Sequence, residues 1–233
     1  MKFFQLSARS RNEPHRVATT LELMFDLASV IAIAAAAAGL HHGIAGGHTL
    51  EALPRFLFAF FMIWWSWMNY TWFASAYDDG SAGFRVLSMV AMFGALTIAA
   101  GIPAVFTNAP IYLCLLGFVI MRVAMAMFWF SAAAGDPDHR PTAMSYGTGI
   151  LAMQLYWVWL ILSIDPSAPS SALLLLLGIV GELAVPAYAE FRHGPTNWHR
   201  HHIVERYGLL NIIVLGECFL AIVAMLALDD KGT

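Results

Sequence analysis

The chain has 233 residues, of which 60% are hydrophobic, 13% aromatic and 12% charged, with a formal net charge of −3. A soluble domain carries about 25% charged residues, so this composition, with a mean hydropathy of +0.68, excludes an ordinary water-soluble fold. The scarcity of Lys and the lack of any basic tract exclude a nucleic-acid partner.

The apolar residues come in repeated blocks of about 20, the length that crosses a hydrocarbon core of about 30 Å. The expected fold class is therefore all-α: a polytopic bundle of about seven transmembrane helices with the lipid bilayer as partner. Residues 1–17 form a polar cytoplasmic leader, 18–228 the transmembrane domain and 229–233 a C-terminal tail. The first span is too long for a signal-peptide core and lacks a clear small-residue cleavage site, so it is expected to be retained.

The first span, 18–40, opens with Leu21-Glu22-Leu23-Met24-Phe25-Asp26-Leu27, which puts Glu22 and Asp26 four residues apart on one helix face. Ala34 to Ala38 then offer a smooth face for close helix approach. A loop rich in Gly and His is expected over His41 to Ala52. The second span, 53–76, holds Trp65, Asn69 and Trp72 at helical spacing, so Asn69 is flanked by indoles. Packing with an interfacial aromatic belt and a cavity wall both suit that face.

The third span, 84–106, ends near Gly101-Ile102-Pro103, where a proline frees a carbonyl and kinks or ends the helix. The fourth, 110–132, carries Arg122 near its centre, where an isolated cation is costly and needs an acid from another helix. The fifth, 143–164, contains Gln154 and Trp157, and the sixth, 170–191, contains Glu182 and Pro186. After a linker with four histidines, the seventh span, 203–228, carries Glu205, Arg206 and Glu217. Cys114 and Cys218 lie inside apolar blocks and are expected to be small packing residues, not a disulfide.

With a cytoplasmic start, Lys2, Arg9, Arg11, Arg16, Arg85, Arg140, Arg192 and Arg200 fall on the cytoplasmic side, against Arg55 and Lys231 on the other. This asymmetry satisfies the positive-inside rule. The first and seventh spans both run outward and both begin with His a few residues before an acid, a pattern that would suit the opening of a second, parallel repeat.

The chain resembles the bacterial low temperature requirement A (LtrA) family of membrane proteins. The resemblance rests on Glu22-Leu23-Met24-Phe25-Asp26-Leu27, Trp64-Trp65-Ser66-Trp67-Met68-Asn69-Tyr70-Thr71-Trp72-Phe73 followed by Asp78-Asp79, Ala100-Gly101-Ile102-Pro103, and Glu205-Arg206-Tyr207-Gly208-Leu209 running into Ile212-Ile213-Val214-Leu215-Gly216-Glu217. It implies an all-helical, multi-pass protein of the bacterial inner membrane linked to growth in the cold. Family members usually continue with more helices after the Leu-Gly-Glu helix, so this chain is expected to be a short member or part of a longer one.

The spans hold five acids, Glu22, Asp26, Glu182, Glu205 and Glu217, against two bases, Arg122 and Arg206. Unpaired acids in low dielectric are protonated or neutralised by a cation. The candidate polar core is therefore Glu22, Asp26, Asn69, Arg122, Glu182, Glu205, Arg206 and Glu217. Arg206 can bridge to Glu22 or Asp26. One reading is a transport or permeation path for protons or small cations. The alternative is a non-transporting membrane protein whose ionisable residues are interhelical pairs. His199, His201 and His202 beside Glu205 raise a weaker metal reading, with His201 and Glu205 four apart. No nucleophile elbow, phosphate loop or Cys pair appears, so neither enzyme activity nor a cofactor is expected.

Overall fold

In the computed structural model, residues 5–14, 16–107, 109–165 and 168–229 are described, with side chains in the last helix described through 219 and at 223. Seven helices follow in order: α1 Thr20–Ala45, α2 Thr49–Tyr77, α3 Ala82–Phe106, α4 Tyr112–Gly135, α5 Arg140–Ser163, α6 Ser171–His193 and α7 Arg200–Asp229. Each expected span corresponds to one of them. Among the described residues, five are long and apolar enough to cross a membrane: α1, α3, α4, α5 and α6. In α2 the indole- and hydroxyl-rich middle dilutes the aliphatic content; in α7 the side chains at 220–222 and 224–229 lie outside the described residues.

The outward faces fit a lipid solvent. Val86, Met89, Phe93 and Leu96 on α3, Leu173, Leu176, Leu177 and Val180 on α6, and Ile212, Leu215 and Phe219 on α7 are all exposed. In water such a surface would aggregate; in hydrocarbon it carries no penalty. The interior holds small residues and rings. Phe25 stacks on Tyr70 with centroids 3.9 Å apart, and Phe73 packs on Phe128 at 4.8 Å.

α3 and α4 approach most closely, on glycines. A Cβ placed on Gly94 would lie 2.8 Å from Gly117 O, and one on Gly117 would lie 2.6 Å from Gly94 O. This is the close backbone contact that small residues allow between membrane helices. The smooth face predicted at Ala34–Ala38 is only partly used: Ala36 is buried, and Ala37 and Ala38 are exposed.

Several local expectations are corrected. The loop expected over His41 to Ala52 is mostly helix, because α1 runs to Ala45 and α2 starts at Thr49. The turn is compressed into residues 46–48, where Gly47 adopts a φ of 76° that favours glycine. Pro103 sits inside the last turn of α3, which ends at Phe106. Cys114 is buried as expected, but Cys218 is exposed on the outer face of α7.

Residues 5–14 of the leader pack back onto the bundle. Leu6 is buried and its N–H donates to Ser131 O at 3.1 Å, while the Arg9 N–H donates to Ala76 O at 2.8 Å. The Arg9 side chain donates to the Asp78 carbonyl, and Arg11 donates to Thr196 O at 3.2 Å. These contacts gather the start of α1 and the ends of α2, α4 and α6 at one end of the bundle, so the helices alternate in direction. Lys2, Lys231 and all of the expected 229–233 tail except the backbone of residue 229 lie outside the described residues.

Candidate functional site

α1 opens on a capping box. Thr19 Oγ1 accepts the Glu22 N–H at 3.3 Å, and Glu22 Oε2 accepts the Thr19 N–H at 2.7 Å. This reciprocal pair satisfies two donors that a helix start leaves open. It also turns Glu22 into the bundle, where the residue is fully buried. Arg16, buried just before the helix, donates to Glu22 Oε1 at 3.2 Å, and His202 Nε2 of α7 lies 3.0 Å from the same oxygen.

One turn further along, Asp26 is gripped from two sides. Arg206 donates from Nη1 to Oδ2 at 2.9 Å and from Nη2 to Oδ1 at 2.7 Å, and Trp67 Nε1 donates to Oδ1 at 2.6 Å. All three residues are buried. Both acids of α1 thus meet α7 in parallel register: Glu22 opposite His202, Asp26 opposite Arg206, each pair spaced by four residues. The expected Arg206 bridge is made to Asp26. His202 and Arg16 were not foreseen as neighbours of Glu22. The matching four-residue spacing on α7 was the available signal for His202.

Asp78, just past the end of α2, closes this cluster toward the leader. Its Oδ2 accepts the Thr19 hydroxyl at 3.2 Å and lies 4.0 Å from Arg16 Nη2, and its Oδ1 accepts the Gly80 N–H at 3.1 Å. Burial pushes the Asp78 carboxyl above the usual carboxylate range, and the charge of Glu22 pushes it the same way.

A second ionic centre sits on the other side of α2. Arg122 of α4 donates to Glu182 Oε2 of α6 at 2.5 Å; Trp65 Nε1 donates to the same oxygen at 2.8 Å and Trp157 Nε1 of α5 to Oε1 at 3.0 Å. Trp65 and Trp67 are two residues apart, so they leave α2 on roughly opposite faces. One serves Glu182 and the other Asp26, which makes α2 the wall between the two centres. The need of Arg122 for an acid on another helix is met by Glu182.

Asn69 donates its Nδ2 to the Trp65 carbonyl at 2.7 Å. It lines a cavity of about 220 Å³ between α2, α4, α5 and α6, together with Met68, Trp72, Trp129, Tyr146 and Glu190. In the aromatic stretch Trp65 and Trp67 pack inward, and Trp72 and Asn69 form a cavity wall.

Glu205 and Glu217 are not brought into either centre. Both are half-buried, and among the described residues neither makes an ion pair or a hydrogen bond. The histidines of the linker also separate. His201 is exposed, whereas the backbone of buried His199 donates to Ser75 Oγ at 2.9 Å and His202 faces Glu22. His201 and Glu205 therefore share no site with His202.

Several buried groups keep unfilled hydrogen-bonding positions. Nε of Arg16, Arg206 and Arg122, Nη1 of Arg122, Nδ1 of His202 and both amide atoms of Gln154 are buried without a partner among the described residues.

An uncharacterized protein of Rhizobium meliloti (strain 1021) is 26% identical over 222 residues, 92% of this chain and 52% of the relative. The chain therefore spans about half the length of the curated relative it matches. No solved structure is similar enough to count as a match. The family model described as bacterial low temperature requirement A protein (LtrA) matches residues 17–232, and the chain belongs to that family of multi-pass membrane proteins.

Proposed function

We propose that this bundle sits in the bacterial inner membrane, leader on the cytoplasmic side, and lets protons or small cations pass along its buried ionisable residues. The observation that carries the reading is the set of unfilled positions on Arg16, His202, Arg206, Arg122 and Gln154. Buried polar groups in proteins almost always find a partner. Groups that no described residue serves, buried inside a bundle, are where water and exchanging protons enter. His202 is the pivotal group, since its ring lies 3.0 Å from Glu22 Oε1 and its Nδ1 has no partner among the described residues. Asp78, Arg16 and Glu22 connect it to the leader end, and Asp26 with Arg206 lies one turn deeper. The test is proton flux into liposomes holding the purified protein, read with an internal pH dye under an imposed potential. Flux above that of empty liposomes, lowered by His202→Gln and by Asp26→Asn, is expected; flux indifferent to both changes, or absent, overturns the reading.

A second reading has its own support. Both oxygens of Asp26 and both oxygens of Glu182 are engaged by cations and indoles. Carboxylates so fully served are braces between helices, as a non-transporting protein would use them. Under this reading the same variants lose thermal stability and no flux exists to be lost.

A further inference from the structure

The cavity beside Asn69 belongs to neither ionic centre. Its walls are the rings of Trp72, Trp129 and Tyr146, with Met68, Pro186 and Ala187 completing it. Trp129 stacks flat on Tyr146, centroids 4.0 Å apart and planes 5° from parallel, which fixes both rings. Trp72 is held edge-on against Trp198 of the linker at 4.7 Å. One carboxylate enters this aromatic box. Glu190 Oε1 accepts the Tyr146 hydroxyl at 2.8 Å, and its other oxygen has no partner among the described residues. The Asn69 amide spends one of its two N–H donors on the Trp65 carbonyl, and its oxygen remains an acceptor.

Aromatic faces and carboxylates both attract cations, and a box of rings around one acid suits an organic ammonium better than a hydrated metal ion. Trp72 and Trp129 line the cavity, and their indole N–H groups are buried without a partner among the described residues, so the occupant also carries an oxygen acceptor. Size sets a limit. Drug-sized pockets measure about 300–1,000 Å³, and at about 220 Å³ this one holds only a molecule of a few heavy atoms. Toward the leader, Thr196 lines the cavity and its carbonyl accepts from Arg11 at 3.2 Å, and Ala187 forms an exposed part of the wall.

We propose that this cavity binds a small hydroxylated or phosphorylated ammonium of the ethanolammonium type, either free or as the headgroup of a lipid. The ammonium sits between Trp72 and Trp129 and pairs with Glu190, and the oxygen faces the indole N–H groups. For a lipid headgroup the phosphate lies at the rim, within reach of Arg11. The site is independent of whether the two ionic centres pass protons.

The test is equilibrium binding of radiolabelled ethanolamine to the purified protein in phosphatidylglycerol nanodiscs, with ethylene glycol as the uncharged competitor. Saturable binding that ethylene glycol does not displace is expected. It should weaken about tenfold or more in Glu190→Gln and vanish in Ala187→Phe, which fills the cavity from its exposed side. Discs containing phosphatidylethanolamine distinguish the sources. If the headgroup is the occupant, the label is excluded there and Arg11→Ala readmits it; if a free amine is, binding is the same in both discs. No saturable binding by the folded protein, equal displacement by ethylene glycol, or binding unchanged in both variants overturns the proposal.

Discussion

Arg206 holds Asp26 with both terminal nitrogens, at 2.7 and 2.9 Å, across 180 residues of chain. The contact ties α7 to α1 at a place where α7 has few other neighbours, since among the described residues it packs only on α1 and α2. Removing one member of a buried pair strands the other, a loss of about 3–5 kcal/mol. Asp26→Ala and Arg206→Ala should each destabilise the protein by about that amount, and the double variant by clearly less than the sum of the two. Thermal or chaotrope unfolding in detergent measures this. Simple additivity of the two changes would mean that the pair does not hold α7.

The Glu182 centre depends on an aperture beside it. A Cβ on Gly178 would lie 2.6 Å from the Trp157 ring, and Trp157 is the residue whose indole N–H serves Glu182 Oε1. Gly178→Val should push the ring off and leave a buried carboxylate oxygen unserved, at a cost of about 1–3 kcal/mol. Trp157→Phe should lose the same hydrogen bond without the steric push. If the two variants differ by less than about 1 kcal/mol, the damage is the lost hydrogen bond; a much larger loss for Gly178→Val assigns it to overpacking of α5 on α6.

Much of this was legible from residue order alone. Helix positions followed from block length, and the pairing of Arg122 with an acid followed from the cost of a lone cation in lipid. The surplus of acids was misleading in one respect. It counted only residues inside spans, whereas Glu22 draws on Arg16 before α1 and His202 in the first turn of α7. The indole bonds to Asp26 and Glu182 were out of reach for another reason. Aromatic residues at helical spacing look alike whether they pack, belt the interface or donate, and only the facing helix decides. Glu190 escaped notice because it lies at the end of its span, where an acid is unremarkable. It takes Tyr146 and Trp129 from two other helices to make it part of a cavity.

Asp78 gives a pH dependence whose sign is fixed. Burial and the charge of Glu22 raise its pKa in the fold, so as pH falls the folded protein takes up this proton before the unfolded chain does. Stability contributed by Asp78 therefore rises as pH drops from neutrality through its raised pKa, levelling off below the ordinary aspartate value of about 3.9. Asp78→Asn removes the titration. The melting temperature of the wild type relative to Asp78→Asn should climb between about pH 7 and about pH 4. A relative decline would show that Arg16, Thr19 and Gly80 favour the ionised form more strongly than burial opposes it.

The leader's attachment rests on one glycine. A Cβ on Gly135 would collide with the main chain of Leu6, the residue whose N–H reaches Ser131 O and whose side chain is buried against the bundle. Gly135→Val should lift the leader, at a cost of about 1–3 kcal/mol, and loosen the Arg9 contacts with Ala76 and Asp78 that follow. Arg9 and Arg11 are then open to trypsin. Gly208→Ala is the matched control, because nothing lies within 4 Å of a Cβ there and alanine favours a helix interior by up to about 1 kcal/mol over glycine. Cleavage near residues 9–11 should be many times faster in Gly135→Val than in the wild type and unchanged in Gly208→Ala. Equal cleavage in all three proteins would mean that the leader leaves the bundle as readily with the glycine as without it, and Arg16 alone would then connect it to Glu22.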